Sequence, residues 1–208
     1  MALDNYEDLK ASIESWSHRE DIKGKVDDFI QICEAEMYSN SDVSLRVRSM
    51  VSTSAGVTNI VDRFQALPTG FLETRRYDFD MTGSRPTIDY ITPDSMVIRD
   101  GAGVPSVYTT TSQIEYDVIP DAVYATNLIY YGKLTGLSDA ATTNQVLTDS
   151  PNIYLYGSLW ALNIWAENDE NIMKYRQLFL SAIDGANRAD ASGNIGVATQ
   201  KRRRSRNP

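Results

Sequence analysis

The sequence predicts an α+β fold: a small helical bundle made from an N-terminal and a C-terminal pair of helices, with an inserted β-rich unit and an extended C-terminal tail. Three observations carry this. Apolar residues recur at helical spacing before residue 41 and again after residue 150. Between them the chain turns to short alternating runs, rich in Tyr and Thr and punctuated by Pro and Gly, which is the texture of strands joined by turns. Finally, five cations crowd into Lys201–Arg206 of a chain whose formal net charge is −8, so the 200 residues before Lys201 carry −13. The boundaries follow: residues 1–41 and 136–190 for the two parts of the helical core, 42–135 for the β-rich insert, and 191–208 for the basic extension.

The first helix is expected over residues 4–18. Asp4 with Glu7 three residues on approximates a capping box, and Tyr6, Leu9, Ile13 and Trp16 form its stripe. A second helix is expected over 23–39, with Val26, Phe29, Ile30, Cys33 and Met37 on one face. Alternation of Val43, Leu45 and Val47 then reads as a strand. Turn signals stand at Pro68-Thr69-Gly70, Gly83 and Pro93, and Thr92-Pro93-Asp94 opens a short helical turn. The Tyr- and Thr-rich stretch from Val104 to Leu134 reads as strands broken near Pro120-Asp121. Helix returns at Pro151, capped by Asp149 or Ser150. Ile153, Tyr156, Leu159, Trp160, Asn163 and Ile164 share a face that Leu155, Leu162 and Trp165 widen, as on a helix buried on several sides. The last helix begins at Asn168 or Asp169, carries Ile172, Tyr175, Phe179, Ala182, Ile183 and Ala186, and gives way to the tail after Ala189.

Little here points to catalysis. The chain has 208 residues, 42% hydrophobic and 23% charged, an ordinary globular composition with no apolar run long enough to span a bilayer. The acidic start "MALDNYEDLK" does not read as a secretory signal. The single Cys33 fits synthesis in a reducing cytoplasm and, on an apolar stripe, reads as a packing thiol. The single His18 sits at a helix end, where the dipole suits a cation. One His and one Cys make a zinc site improbable, and no metal or other cofactor is expected. "GKLTGLS" (132–138) lacks the ending of a phosphate-binding loop and reads as a turn. Glu7, Asp8, Glu34 and Glu36 read as a solvated helix face, and Tyr154, Tyr156, Trp160 and Trp165 as core. Arg75 and Arg76, in a predicted strand, are candidates for binding an anion or a neighbouring acidic chain, with plain solvation the alternative.

Several stretches, taken in order, resemble the head-to-tail adaptor proteins of tailed bacteriophages, of the type that binds the portal of short-tailed phages. They are "NYEDLKASIESWSHRED", "QALPTGFLETRRYDF", "IDYITPDSM" and, most specific, "LIYYGKLTGLSDAATTNQVLTDSPNIYLYGSLWAL". Together they cover the chain to about residue 190; the tail matches no family motif residue by residue. The resemblance implies a structural virion protein and not an enzyme, a homododecamer at the portal vertex made in the bacterial host. Its ring would join the portal to a distal tail component, a nozzle or tail tube protein, with tail fibres as further neighbours. It would continue the channel used in genome packaging and DNA ejection, through which double-stranded DNA passes without sequence-specific binding.

On this reading the tail cations Lys201, Arg202, Arg203, Arg204 and Arg206 bind acidic grooves of the portal, where the planar fork of Arg suits carboxylates. An acidic body lets DNA slide, because phosphates meet no array of cations. Two other readings compete: a nucleic-acid-binding protein that uses the basic tail, and a virion-carried cell-wall hydrolase with two carboxylates about 5–10 Å apart in one cleft.

Overall fold

The computed structural model describes residues 3–81 and 84–204, the side chains of 193–204 excepted. The chain divides into two compact units, one of residues 1–49 with 134–208 and one of residues 50–133.

The first unit is helical. Its elements are α1 (Tyr6–Ser17), α2 (Val26–Ser39), the short α3 (Gln145–Asp149), α4 (Pro151–Trp165) and α5 (Asp169–Arg204). The cap of α1 is shifted one residue from the expected Asp4–Glu7 box. Asn5 accepts from the Asp8 amide at 3.0 Å and donates to the Asp8 carboxylate at 2.8 Å, so the reciprocal pairing is made by Asn and Asp. Tyr6, Leu9 and Ile13 are buried as the stripe requires, but Trp16 is 50% exposed. On α2 all five stripe residues are buried. The centre of the bundle is α4, packed against α1, α2, α3 and α5. It buries Ile153, Tyr154, Leu155, Leu159, Ala161 and Leu162 around much of its circumference, while Ile164 and Trp165 at its end are exposed, contrary to the expected stripe.

Gly157 explains how α4 lies so deep. A Cβ there would sit 2.3 Å from the Cys33 sulfur and 2.8 Å from the Phe179 ring, so only glycine allows α2 and α5 to close on it. Phe179, fully buried, stacks on Trp160 at 6.1 Å.

Two expectations fail in this unit. Val43, Leu45 and Val47 belong to no strand. Leu45 is buried and its amide bonds to the Met37 carbonyl, while Asn187 of α5 accepts from the Arg46 amide at 2.8 Å and donates to the Ser44 carbonyl. Of the three apolar residues only Leu45 is buried, Val43 and Val47 being half-buried like Ser44 and Arg46, and the segment is held by a side chain instead of a ladder. The chain after Ala189 is also not an extended tail through Arg204, because α5 continues across it. A packed helix already has its nucleus, so each added residue needs only propagation, and Ala, Gln, Lys and Arg propagate well despite two glycines.

The second unit is β-rich. Its strands are β1 (Val51–Val57), β2 (Phe64–Ala66), β3 (Phe71–Asp80), β4 (Asp89–Tyr90), β5 (Ala102–Gly103), β6 (Val107–Thr110), β7 (Gln113–Tyr116), β8 (Ile119–Pro120) and β9 (Ala125–Gly132). They form sheets of order β1-β9-β3, β2-β7-β6-β4 and β5-β8. The expected turn at Thr92-Pro93-Asp94 is a 3-10 turn over Pro93–Ser95. The core gathers Tyr77, Phe79, Ile88, Tyr108, Ile114, Tyr116, Leu128 and Tyr130. Period-2 alternation is clearest in β9, whose Thr126, Leu128, Tyr130 and Gly132 are buried while Asn127, Ile129 and Tyr131 are half-buried.

Candidate functional site

The residues that carry the sequence's most specific stretch are fastened to one another, and their joint is a carboxylate. Glu34 of α2 accepts from the Leu137 amide at 2.8 Å and from the Tyr154 hydroxyl at 3.0 Å. Asn144 caps α3 with its oxygen, on the Leu147 amide, and spends its nitrogen on the Thr135 carbonyl and on Tyr154 Oη at 2.6 Å. Gly136 lies against Glu34: a Cβ there would meet Oε2 at 2.7 Å. Glu34 is therefore not part of a solvated face, as its helix position suggested. Burial first, then the Glu34 charge, pushes the Tyr154 hydroxyl well above the usual range, which keeps it a neutral donor. The network is a structural clasp for the connection from β9 into α4.

The second stretch, Gln65–Phe79, is built the same way in the β unit. Gln65 Oε1 accepts from Tyr77 Oη at 2.9 Å and Tyr116 Oη at 2.6 Å, and its nitrogen donates to Thr126 at 3.1 Å. Gly70 takes φ +73°, and its carbonyl receives the Lys133 amide at 2.8 Å. Arg75 and Arg76 stand between. The register of β3 against β9 slips between Thr74 and Arg76, placing Arg75 at a bulge. Arg75 lies over the Tyr131 ring at 5.3 Å and Arg76 pairs with the buried Asp78 at 2.8 Å. Tyr131 and Asp78 are on the sheet face away from Tyr77 and Tyr130, so the bulge turns both exposed guanidinium groups to that outer face.

Of the tail cations, Lys201, Arg202, Arg203 and Arg204 lie on the last turn of α5, and Arg206 falls outside the described residues. The last described side-chain tethers of α5 are Asn187 to Ser44 and Asp190 to Arg48 at 3.4 Å. From 191 to 204 the helix runs on for about 21 Å at 1.5 Å per residue.

The chemical candidates have structural places. Cys33 is fully buried, with its thiol pushed far above the usual range by burial, so it is no thiolate nucleophile at neutral pH. His18 is the exposed C-cap of α1 at φ 52°. Among the described residues no group of three His, Cys, Asp or Glu side chains could hold a metal ion. A cavity of about 490 Å³ is lined by residues that include Leu45, Val146, Ile153, Ala186, Asp149 and Asp190; the last is engaged by Arg48. An acidic edge lies on α1 and α2, where Lys10 bridges Glu7 at 2.7 Å with Asp27 and Asp139 at 3.7 Å, and Tyr6 donates to Asp27 at 2.8 Å. Sequence reasoning missed Glu34, Asn144 and Gln65 as organisers, since polar residues announce a network only once their partners are known.

No curated protein matches the chain. Residues 4–204 match the family described as SU10 adaptor protein, a match that takes in the basic helix end as far as Arg204, and the chain belongs to that family.

Proposed function

We propose that this chain builds the ring, of about twelve copies on the family resemblance, that joins a phage portal to its tail and continues the DNA channel. Family membership makes it a structural adaptor of a bacteriophage, placed at the head–tail junction with portal and tail components as partners. The observation that carries the finer reading is α5, which delivers Lys201–Arg204 on a helix running past its last described tether to the bundle. A docking segment already helical owes less ordering entropy than a coil, which costs about 1–2 kcal/mol per residue to fix. Arg-rich ends favour carboxylate grooves, so the cations Lys201, Arg202, Arg203, Arg204 and Arg206 bind the portal. Arg75 and Arg76, on the outer face of the three-stranded sheet, contact a neighbouring subunit or a tail protein. The net charge of −13 on the residues before Lys201 keeps DNA from sticking as it passes. Nothing in this role requires catalysis.

Sedimentation of the purified chain with its portal ring, with and without residues 201–208, tests this. A ring that gains adaptor copies only when the tail is present supports the proposal. Binding that survives truncation moves the anchor to the folded body. Absence of portal binding, together with a mobility shift on DNA whose log–log salt slope is about −4 to −5, replaces the adaptor reading with nucleic-acid binding.

A further inference from the structure

The three-stranded sheet treats its two edges differently. The outer edge of β3 is guarded: its register slips twice, it carries Glu73, Arg75, Arg76 and Asp80, and residues 84–88 cover its second half. The Phe79 amide bonds to the Pro86 carbonyl and the Ile88 amide to the Tyr77 carbonyl. These are the usual devices that stop a sheet from recruiting another chain. The outer edge of β1 has none of them. Val51–Val57 reads VSTSAGV, with no charge and no proline, and pairs with β9 over seven residues without a slip. Ser52, Thr53, Ala55 and Val57 are exposed, and β9 is the only strand hydrogen-bonded to β1 among the described residues. Every second N–H and C=O of this strand, about 24 Å long, therefore faces outward ready to pair.

We propose that the β1 edge is the contact surface for a second copy of this chain, joined by antiparallel β1–β1 pairing about a two-fold axis at Ser54. The occupant follows from what the chain offers. Among the described residues the interior strands β6, β7 and β9 are paired on both sides, β2, β4, β5 and β8 have two or three residues, and β3 is guarded. Only β1 presents a free, regular edge, so a second copy can pair only through β1 itself. A two-fold contact needs a surface complementary to itself, and an uncharged strand meets its own image without like-charge repulsion. Full overlap of seven residues fixes the centre at Ser54, with Thr53 opposite Ala55 of the second copy and Val51 opposite its Val57. The contact is small, so the pair is weak and concentration-dependent. It goes beyond the ring: neighbours in a cyclic ring are not related by a two-fold, so this pair is a state of the free protein, and its failure leaves the ring reading standing.

The test is sedimentation of the full chain over a concentration series, with three variants. T53K/A55K sets lysines opposite lysines at two places across the axis and weakens association by about tenfold, the effect of two opposed like-charge pairs. T53K/A55E sets lysine opposite glutamate at the same places and restores it, which also shows that substitution at these exposed sites leaves the fold intact. Because Cys33 is fully buried and Thr53 is exposed, T53C supplies an accessible thiol, and a short bismaleimide links the two copies across their axis. A wild-type chain that stays monomeric at every concentration overturns the proposal. So does a dimer indifferent to both charge variants, or one that T53C fails to crosslink.

Discussion

The two units solve the same problem, a unique interior, by different means. The helical unit fits shapes. Its buried residues are mostly aliphatic, and its tightest contact is Gly157 received between Cys33 and Phe179. Its polar clasp at Glu34 ties down the entry to α4. The β unit instead fills its interior with tyrosine rings: Tyr77 meets Tyr108 edge-on at 5.0 Å and lies near-parallel to Tyr116 at 6.3 Å. Each ring brings a hydroxyl that must find a partner, and Gln65 serves two of them. The buried Asp117 adds a second such node, receiving Arg99 Nε at 2.9 Å, the Ser106 amide at 3.1 Å and the Ser106 hydroxyl at 2.7 Å. A core held by shape is vulnerable to changes of volume, and a core held by hydroxyls to loss of an acceptor.

Alkali strikes both units and gives the largest effect. Burial is the first cause of the raised values at Tyr6, Tyr38 and Tyr154 in the helical unit and at Tyr77, Tyr108 and Tyr116 in the β unit; Tyr38 is pushed up to about 12. The folded chain thus holds protons that the unfolded chain releases near pH 10. Stability is therefore full below pH 10 and falls as pH rises from there through 12. Absorbance at 295 nm and circular dichroism, followed together, should show tyrosine ionisation and unfolding as one event. Ionisation of the buried rings with the fold retained would break the account.

Phe179→Ala comes next and probes shape. Removing a fully buried ring from between α4 and α5 should cost about 3–5 kcal/mol in chemical denaturation. Gln65→Leu probes the other mode, keeping volume while stripping the acceptor shared by Tyr77 and Tyr116, at a cost of about 1–3 kcal/mol. Near-ultraviolet circular dichroism separates the units, because the tyrosine cluster lies in the β unit and all three tryptophans lie in the helical unit. A Gln65→Leu chain as stable as the parent would mean that the hydroxyls hold one another, through the short Tyr77–Tyr116 contact, without Gln65.

Legibility in the sequence follows the same division. The stripes of α2 and α5 were readable because aliphatic burial leaves a 3.6-residue period, and β9 because a half-buried strand leaves a period of two. The order of helices and strands, and hence the α+β class, came with them. The cap of α1 was misplaced by one residue because Asn5-Asp8 and Asp4-Glu7 are equivalent patterns until the backbone chooses. Val43–Val47 imitated a strand because apolar–polar alternation does not say whether a ladder partner exists, and only Leu45 of the three apolar residues is buried. Gly157 and Glu34 were invisible, since their meaning lies in Cys33, Phe179, Leu137 and Tyr154, which are distant in sequence. The arginines of β3 were visible as a pair, but the bulge that turns both to one face depends on register with β9.

The smallest effect is expected at Trp16, and it marks the limit of the shape argument. Trp16 belongs by spacing to the buried stripe of α1, yet it is half-exposed and touches Tyr156 with ring centres 6.4 Å apart. Trp165, at the end of α4, is 39% exposed beneath Lys25 at 4.3 Å and Arg19 at 5.3 Å. An exposed ring forfeits little on truncation, so Trp16→Ala should lower stability by less than about 1 kcal/mol, well below Phe179→Ala on the same unit. Should the loss instead approach that of Phe179→Ala, the end of α1 would be as deeply held as its middle, and the division between a packed centre and open helix ends would fail. A small loss in stability with a large loss of portal binding would give these open ends a different role, as part of the adaptor's contact surface, in keeping with exposed aromatic groups at docking sites.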